Sequence, residues 1–269
     1  MSTITQRMTT RIAMIIPMTE KSSASESITS SLGSVTALYR LLTFLSPAFP
    51  VGAFTYSHGL EQAIEDDDVT SAEELQQWLE AVITQGSGHN DAILLVQTMQ
   101  AADKGDEADV RELIDLGLAL QPSRERHLET SAQGTAFIRT VLNAWRPEAM
   151  TSSGHLFHTL THPENAEIPD LWPYPVAVGL TAAAWELPAA ETVTAFLQAF
   201  TSNIVSAAIR AIPLGQSEGQ RVLAALEPAV HTTAAKALTA GLDALGSSIF
   251  LADIASMAHE TKYSRIFRS

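Results

Sequence analysis

Asp91-Ala-Ile-Leu-Leu-Val-Gln-Thr-Met-Gln-Ala-Ala102 is apolar on almost every side of a helical wheel. A helix with that pattern is stable in water only when neighbours enclose it, so this stretch predicts a central, buried helix. The flanking sequence supplies the neighbours. On the C-terminal side Gly105 closes the central helix, and Asp106 caps a second whose stripe is Val110, Leu113, Ile114 and Leu118. On the N-terminal side Gly86-Ser87-Gly88 marks a break between helices. The helix before it carries Leu75, Trp78, Leu79, Val82 and Ile83 at helical spacing. Thr70 with Glu73 is its expected capping box, in which each side chain satisfies a free backbone N–H.

Further along, a long helix is expected from Ser123 through Ile138, Val141, Leu142 and Trp145 to a stop at Pro147. Tyr174 to Glu186 reads as another buried helix. Pro188, suited to a first helical turn, opens a segment with Val193, Phe196, Leu197, Phe200, Ile204, Ala208 and Ile212 on its apolar face. Ser217 with Gln220 offers a further capping box, and at least two more helices follow. There is no sustained alternation of apolar and polar residues, no Asn-Gly or Asp-Gly hairpin, and no long internal repeat. The fold expected is all-α, a single compact domain of about ten helices over residues 35–269. Residues 1–34, rich in Ser and Thr, are expected to form a flexible N-terminal extension with a transient helix near Ile12 to Ile16.

The 269 residues are 46% hydrophobic and 17% charged, a globular composition long enough to bury a core without disulfides. Thirty Asp and Glu against sixteen Lys and Arg leave a net charge of −14. A binder of phosphate backbones needs a basic face, so nucleic acid is not an expected partner. The absence of cysteine removes thiol nucleophiles, zinc ribbons and iron–sulfur ligation, and fits a reducing compartment. Arg7 and Arg11 precede a short Ile-Ala-Met-Ile-Ile stretch broken at Pro17, which reads as neither signal peptide nor anchor. No apolar run approaches the roughly 20 residues that cross a bilayer. A cytoplasmic protein without a membrane partner is expected.

Catalytic constellations are sought without success. Gly86-Ser87-Gly88 lacks the strand and the lysine of a phosphate-binding loop. His155, His158 and His162 have the spacing of one helix face, but the Ser, Thr, Gly154 and prolines around them favour a polar surface loop over a metal site. His127, His231 and His259 are isolated in the sequence. Ser57 directly precedes His58, and adjacent helical residues point about 100° apart, too divergent for a nucleophile–base pair. Asp66, Asp67 and Asp68 form a run at a helix end, more simply a solvated patch than an acid–base pair. No catalytic residue, no metal ligand and no tightly bound cofactor is assigned, and the chain is not expected to be an enzyme.

Three features stand out instead. Between Leu41 and Asp103 there are ten acids and no Lys or Arg, whereas His259-Glu-Thr-Lys-Tyr-Ser-Arg-Ile-Phe-Arg-Ser269 holds three basic groups and one acid. A positive tail on an acidic body should dock on its own surface or on a partner's. If helical, that tail gathers Tyr263, Ile266 and Phe267 on one face with Lys262, Arg265 and Arg268 flanking, residues typical of interface hot spots. A last helix packed on its own domain explains the same pattern equally well. The third feature is Ser46-Pro-Ala-Phe-Pro-Val-Gly-Ala-Phe-Thr-Tyr-Ser-His-Gly-Leu-Glu61, where two prolines and a glycine stiffen the entry to a helix. On that helix Phe54, His58 and Glu61 would share a stripe, an interface mixture or a locally packed helix start.

These blocks, together with Thr201-Ser-Asn-Ile-Val and Ile212-Pro-Leu-Gly-Gln216 between them, resemble the urease accessory family UreF in order and spacing over roughly residues 35–269. The resemblance implies an all-α fold and a non-catalytic role in nickel insertion. Members are dimers that bind UreD (also called UreH) and recruit the GTPase UreG, and the assembly delivers nickel to apo-urease. The implied coupling is between the GTPase state and metal transfer, with nickel in transit rather than tightly held. Matching the family's partner-facing regions, the candidates are Phe54, Tyr56, His58 and Glu61 in the first block, and His259, Glu260, Tyr263, Arg265, Ile266, Phe267 and Arg268 in the tail. Residues 1–34 and the loop bearing His155 to His162 have no counterpart in that resemblance. The competing readings are a helical interaction module with unrelated partners and a hydrolase of small substrates.

Overall fold

The computed structural model describes residues 33–162 and 169–269. The chain divides into two units, 1–39 and 40–269. In the first unit residues 33–39 are helical, so Gly33 and Ser34, expected in a flexible extension, belong to a helix. The rest of that expected extension, with Ile12 to Ile16, lies outside the described residues. The second unit opens with residues 40–44 as the end of a helix (α1) and continues with α2 (Leu60–Glu65), α3 (Ala72–Gln85), α4 (Ser87–Lys104) and α5 (Glu107–Ala119). There follow α6 (Arg124–Ala144), α7 (Ser152–Thr161), α8 (Tyr174–Ala184), α9 (Ala189–Ala211), α10 (Gln216–Ala237) and α11 (Phe250–His259). No strand occurs among the described residues, and the all-α expectation holds.

The stretch from Asp91 to Ala102 is the centre of α4, and α3, α5, α7, α8, α9 and α10 all pack against that helix. Ile93, Leu94 and Leu95 are fully buried, each contributing roughly 1.5–3 kcal/mol of transfer free energy. On α8, a Cβ at Gly179 would lie 2.6 Å from the Leu95 carbonyl oxygen, so only a residue without a side chain lets the two backbones approach this closely. Helix α9 is long and apolar enough, by length and composition, to cross a membrane, but half of its most apolar window is buried in the protein, the pattern of a core helix.

Several boundaries differ from expectation. The capping box of α3 is Ser71 with Glu74, one residue beyond Thr70 and Glu73, because Ser71 takes the extended backbone and the Glu74 carboxylate collects the Thr70 and Ser71 N–H groups. Helix α10 starts with Gly215 as its cap, whose N–H donates to Glu218 at 2.8 Å, so Ser217 lies inside the helix rather than before it. Pro188 is the cap of α9, one position before its first turn. The largest difference is α7, where a loop was expected. Thr151 caps that helix by accepting the Gly154 N–H at 3.0 Å, and Leu156, Phe157 and Leu160 are buried beneath it. The Ser and Thr residues that suggested a loop are there a cap and back-bonded helix residues, a use that composition cannot distinguish from a turn. His155 and His158 lie on α7, with His158 Nε2 2.8 Å from the Pro147 carbonyl oxygen, and His162 follows it.

Residues 238–249 are stitched to α3 and α4, which fixes where α11 begins. Gln97 Nε2 donates to the Ala240 carbonyl at 2.7 Å, the Gly246 N–H donates to Asn90 Oδ1 at 2.9 Å, and the Ser248 N–H donates to the Gln85 carbonyl at 3.0 Å. Helix α11 then packs on α2 and α6.

Candidate functional site

Left-handed backbone reshapes the block from Ser46 to Glu61. Gly52, His58 and Gly59 have φ of 75°, 57° and 78°, so the continuous helix expected to align Phe54, His58 and Glu61 does not form. A single 3-10 turn, Ala53–Thr55, is followed by extended Tyr56, and α2 starts only at Leu60. Positive φ is free for glycine but strained for histidine, and neighbouring elements hold the strain in place. Asn203 Nδ2 on α9 donates to the Ala53 carbonyl at 2.8 Å, and the Arg210 guanidinium donates to the Phe54 carbonyl at 2.8 Å. Phe54 consequently faces outward, 61% exposed, whereas Tyr56 and Glu61 are buried. His58 turns inward to a buried pair on α6. The Arg126 guanidinium donates to its Nδ1, and its Nε2–H faces Glu129 Oε1 at 3.2 Å, which sets the tautomer.

A second polar cluster joins α2, α6 and α11. His259, isolated in sequence, is fully buried, with Nδ1 2.6 Å from Glu125 and Nε2 3.1 Å from Glu61. Each ring nitrogen thus faces a carboxylate. Beside it, Ser123 Oγ and Ser256 Oγ are 2.6 Å apart, and Glu260 accepts the Arg124 N–H at 2.7 Å, placing a carboxylate at the positive end of the α6 dipole.

The tail is not helical. After α11, residues 260–269 run as turns and bends across α2 and α6. Tyr263 and Ile266 point outward while Phe267 is buried, so the three do not share a face. The Arg210 guanidinium sits 4.6 Å over the Phe267 ring. Lys262 pairs with Glu65, and Arg265 pairs with Glu125 while also donating to the Glu260 carbonyl at 3.1 Å. Glu61 accepts the Ile266 and Phe267 N–H groups at 2.8 and 2.9 Å. The Arg268 N–H donates to the Thr55 carbonyl at 2.8 Å, the Ser57 N–H to the Ser269 main-chain oxygen at 2.7 Å, and Ser269 Oγ to Glu129 at 2.7 Å. The positive tail thus docks on acids of its own chain, and its exposed residues include Tyr263, Ile266, Arg265 and Arg268.

Burial works to raise the Glu61 carboxyl, but the Ile266 and Phe267 amides, His259 and Lys262 outweigh it and hold it below the usual carboxylate range. For Glu129 burial wins over Arg126, Ser269 and Gln133, and its carboxyl is raised. Burial and then the Glu129 charge push Asp91 up to about 8. The sign for Glu61 is that of a depressed acid: its contribution is complete above the unfolded-state value and lost as pH falls through the lower folded one. Acidification below about pH 4 is therefore expected to free the tail before α4 and its neighbours unfold. At neutral pH Glu61→Gln should speed tryptic cleavage after Arg265 several-fold; cleavage at the parent rate would show that the carboxylate does not anchor the tail.

The sequence reading missed Glu125, Arg126, Glu129 and Gln133, all buried on α6, along with Asp91, Asn203 and Arg210. For the four on α6 the only local trace is spacing: 125 and 129, and 126, 129 and 133, fall three or four apart on one helix. Among the described residues no group of three or more His, Cys, Asp or Glu is arranged to hold a metal ion. The cluster residues are engaged with one another, an arrangement that fixes a surface rather than attacks a substrate.

The UreF family model matches residues 69–227. The urease accessory protein UreF of Rhodopseudomonas palustris strain BisA53 is 52% identical over 233 residues, covering 87% of this chain and 93% of that protein. The UreF of Bradyrhizobium diazoefficiens is 49% identical over 233 residues, covering 87% of this chain and 92% of its own. With its helices and its anchored tail in view, the chain belongs to the UreF family of urease accessory proteins, which act without catalysing a reaction, and the hydrolase reading falls away.

Proposed function

We propose that this chain is the docking member of the complex that matures urease. In this reading it works in the cytoplasm as a homodimer, bridges UreD/UreH and the GTPase UreG, and couples the GTPase state to nickel delivery to apo-urease. The observation that carries it is an apolar stripe on α11. Phe250, Leu251, Ile254 and Met257 are 72%, 69%, 59% and 49% exposed, and Tyr263 and Ile266 are exposed in the tail that follows. Contiguous exposed apolar surface marks a partner site, and aromatic residues next to arginine are favoured at its centre. The buried face of the same helix ends in His259 and its two carboxylates, so the stripe is held at a fixed place relative to α2 and α6. Nickel is cargo in this scheme, attracted by the acidic body and passed between partners without a tight site here.

The test is capture of UreD and UreG from cells expressing the accessory set, with and without GTP and nickel. Ile254→Asp is expected to lower capture about tenfold or more while the melting temperature stays at the parent value. A fall in melting temperature with capture intact would assign the stripe to the core. Nickel transfer into urease that is unaltered by acidic-surface substitutions in an assembling variant would remove the cargo role.

A further inference from the structure

We propose that the cavity enclosed by the 45–58 loop, α4, α6 and α9 is a binding site for a small organic cation, a protonated amine or amidine, with Asp91 as its anionic anchor. The cavity measures about 230 Å³, below the roughly 300 Å³ at which pockets for drug-sized ligands begin, so a compact ligand fits. Exposed Pro47, Phe54 and Ser206 stand at its mouth, and buried Asp91, Arg126 and Glu129 make its floor.

The polar groups of the floor are matched except for one. Glu129 Oε1 takes His58 and Gln133, and its Oε2 takes Arg126 and Ser269, so the Arg126 and Glu129 charges answer each other. Asp91 is 9% exposed and lines the cavity, and its carboxyl makes no hydrogen bond or ion pair among the described residues. Burial and the Glu129 charge, the two causes that raise the Asp91 carboxyl, are both relieved by a positive ligand bringing its own N–H donors. Asn203 uses Nδ2 on the Ala53 carbonyl, which turns its Oδ1 into a second acceptor for such donors.

The walls select among cations. Phe200, whose ring centroid is 4.7 Å from that of His58, and Tyr174 both line the space, and aromatic faces attract organic cations. A bare divalent ion fits poorly, since it needs several oxygen ligands and Asp91 offers the free carboxyl alone. Occupancy would brace the loop that carries Phe54. The inference goes beyond the partner reading and is tested without partners, so its failure leaves that reading untouched.

Isothermal titration of the full chain with benzamidine, a planar amidinium, and with benzamide, its neutral counterpart of the same shape, decides the matter. Benzamidine is expected to fill one saturable site, and benzamide to bind about tenfold more weakly or worse. Asp91→Asn should lose a similar factor, whereas Asp115→Asn, exposed on α5, should change nothing. Phe200→Leu keeps every charge and removes one ring face, so it should weaken binding about threefold to tenfold; it carries the test if Asp91→Asn does not fold. Absence of saturable heat in the millimolar range, equal affinity for benzamide, or parental binding by Asp91→Asn would each overturn the proposal.

Discussion

Glu129→Ala is expected to unfold at a much lower denaturant concentration than the parent, with a loss of about 3–5 kcal/mol, a large share of the roughly 5–15 kcal/mol that holds a folded domain. The carboxylate is 1% exposed and touches Arg126, His58, Gln133 and Ser269. Its removal strands the Arg126 guanidinium, itself only 5% exposed, as a buried charge without a counterion. It also removes one of the contacts that hold His58 in place. Chemical denaturation at constant slope measures the loss. The double variant Arg126→Met, Glu129→Leu removes both charges at once and should be clearly more stable than Glu129→Ala, because buried ion pairs are replaceable by apolar groups whereas half a pair is not. If the double variant is the less stable of the two, the destabilisation comes from lost packing and not from the orphaned charge.

Gly59→Ala should be almost as damaging, for a steric reason. A Cβ there lies 2.8 Å from Ser256 N and 2.9 Å from Ser256 Cα, and φ is +78°. Backbone strain costs about 1–2 kcal/mol and forced overpacking about 1–3 kcal/mol more. The obstructing atoms belong to the α11 backbone, which cannot swing aside as a side chain would, so α11 must move and break the contact between Ser123 and Ser256. Gly52→Ala is the control. Its φ is +75° but nothing lies within 4 Å of its Cβ, so it should lose only the strain. Thermal melts of the two variants separate these costs, and equal losses would show that the approach of α2 to α11 is looser than it looks.

The ease of reading differed sharply along the chain. Helix α4 was legible because a stretch apolar on every side has one stable environment. Helix α7 was not, because Thr151 and its neighbours serve equally in caps and loops. The buried face of α6 was hidden for a related reason: polar residues are usually outside, and nothing local marks Glu125 or Glu129 as exceptions. His259 looked solitary because its two carboxylates stand 134 and 198 positions away in the chain. The residue types from Ser46 to Glu61 stand out in the sequence, yet the path of that block depends on His58 adopting a conformation that histidine by itself disfavours. Periodicity finds what water excludes; pairings between distant charges need the folded chain.

Glu61 grips the tail by its peptide N–H groups and ignores the side chain that Ile266 carries. Any amino acid except proline can occupy position 266 and still be clasped in the same way. The outward residue there is thus free to vary while the clasp beneath keeps its shape: a fixed handle under an exchangeable fitting.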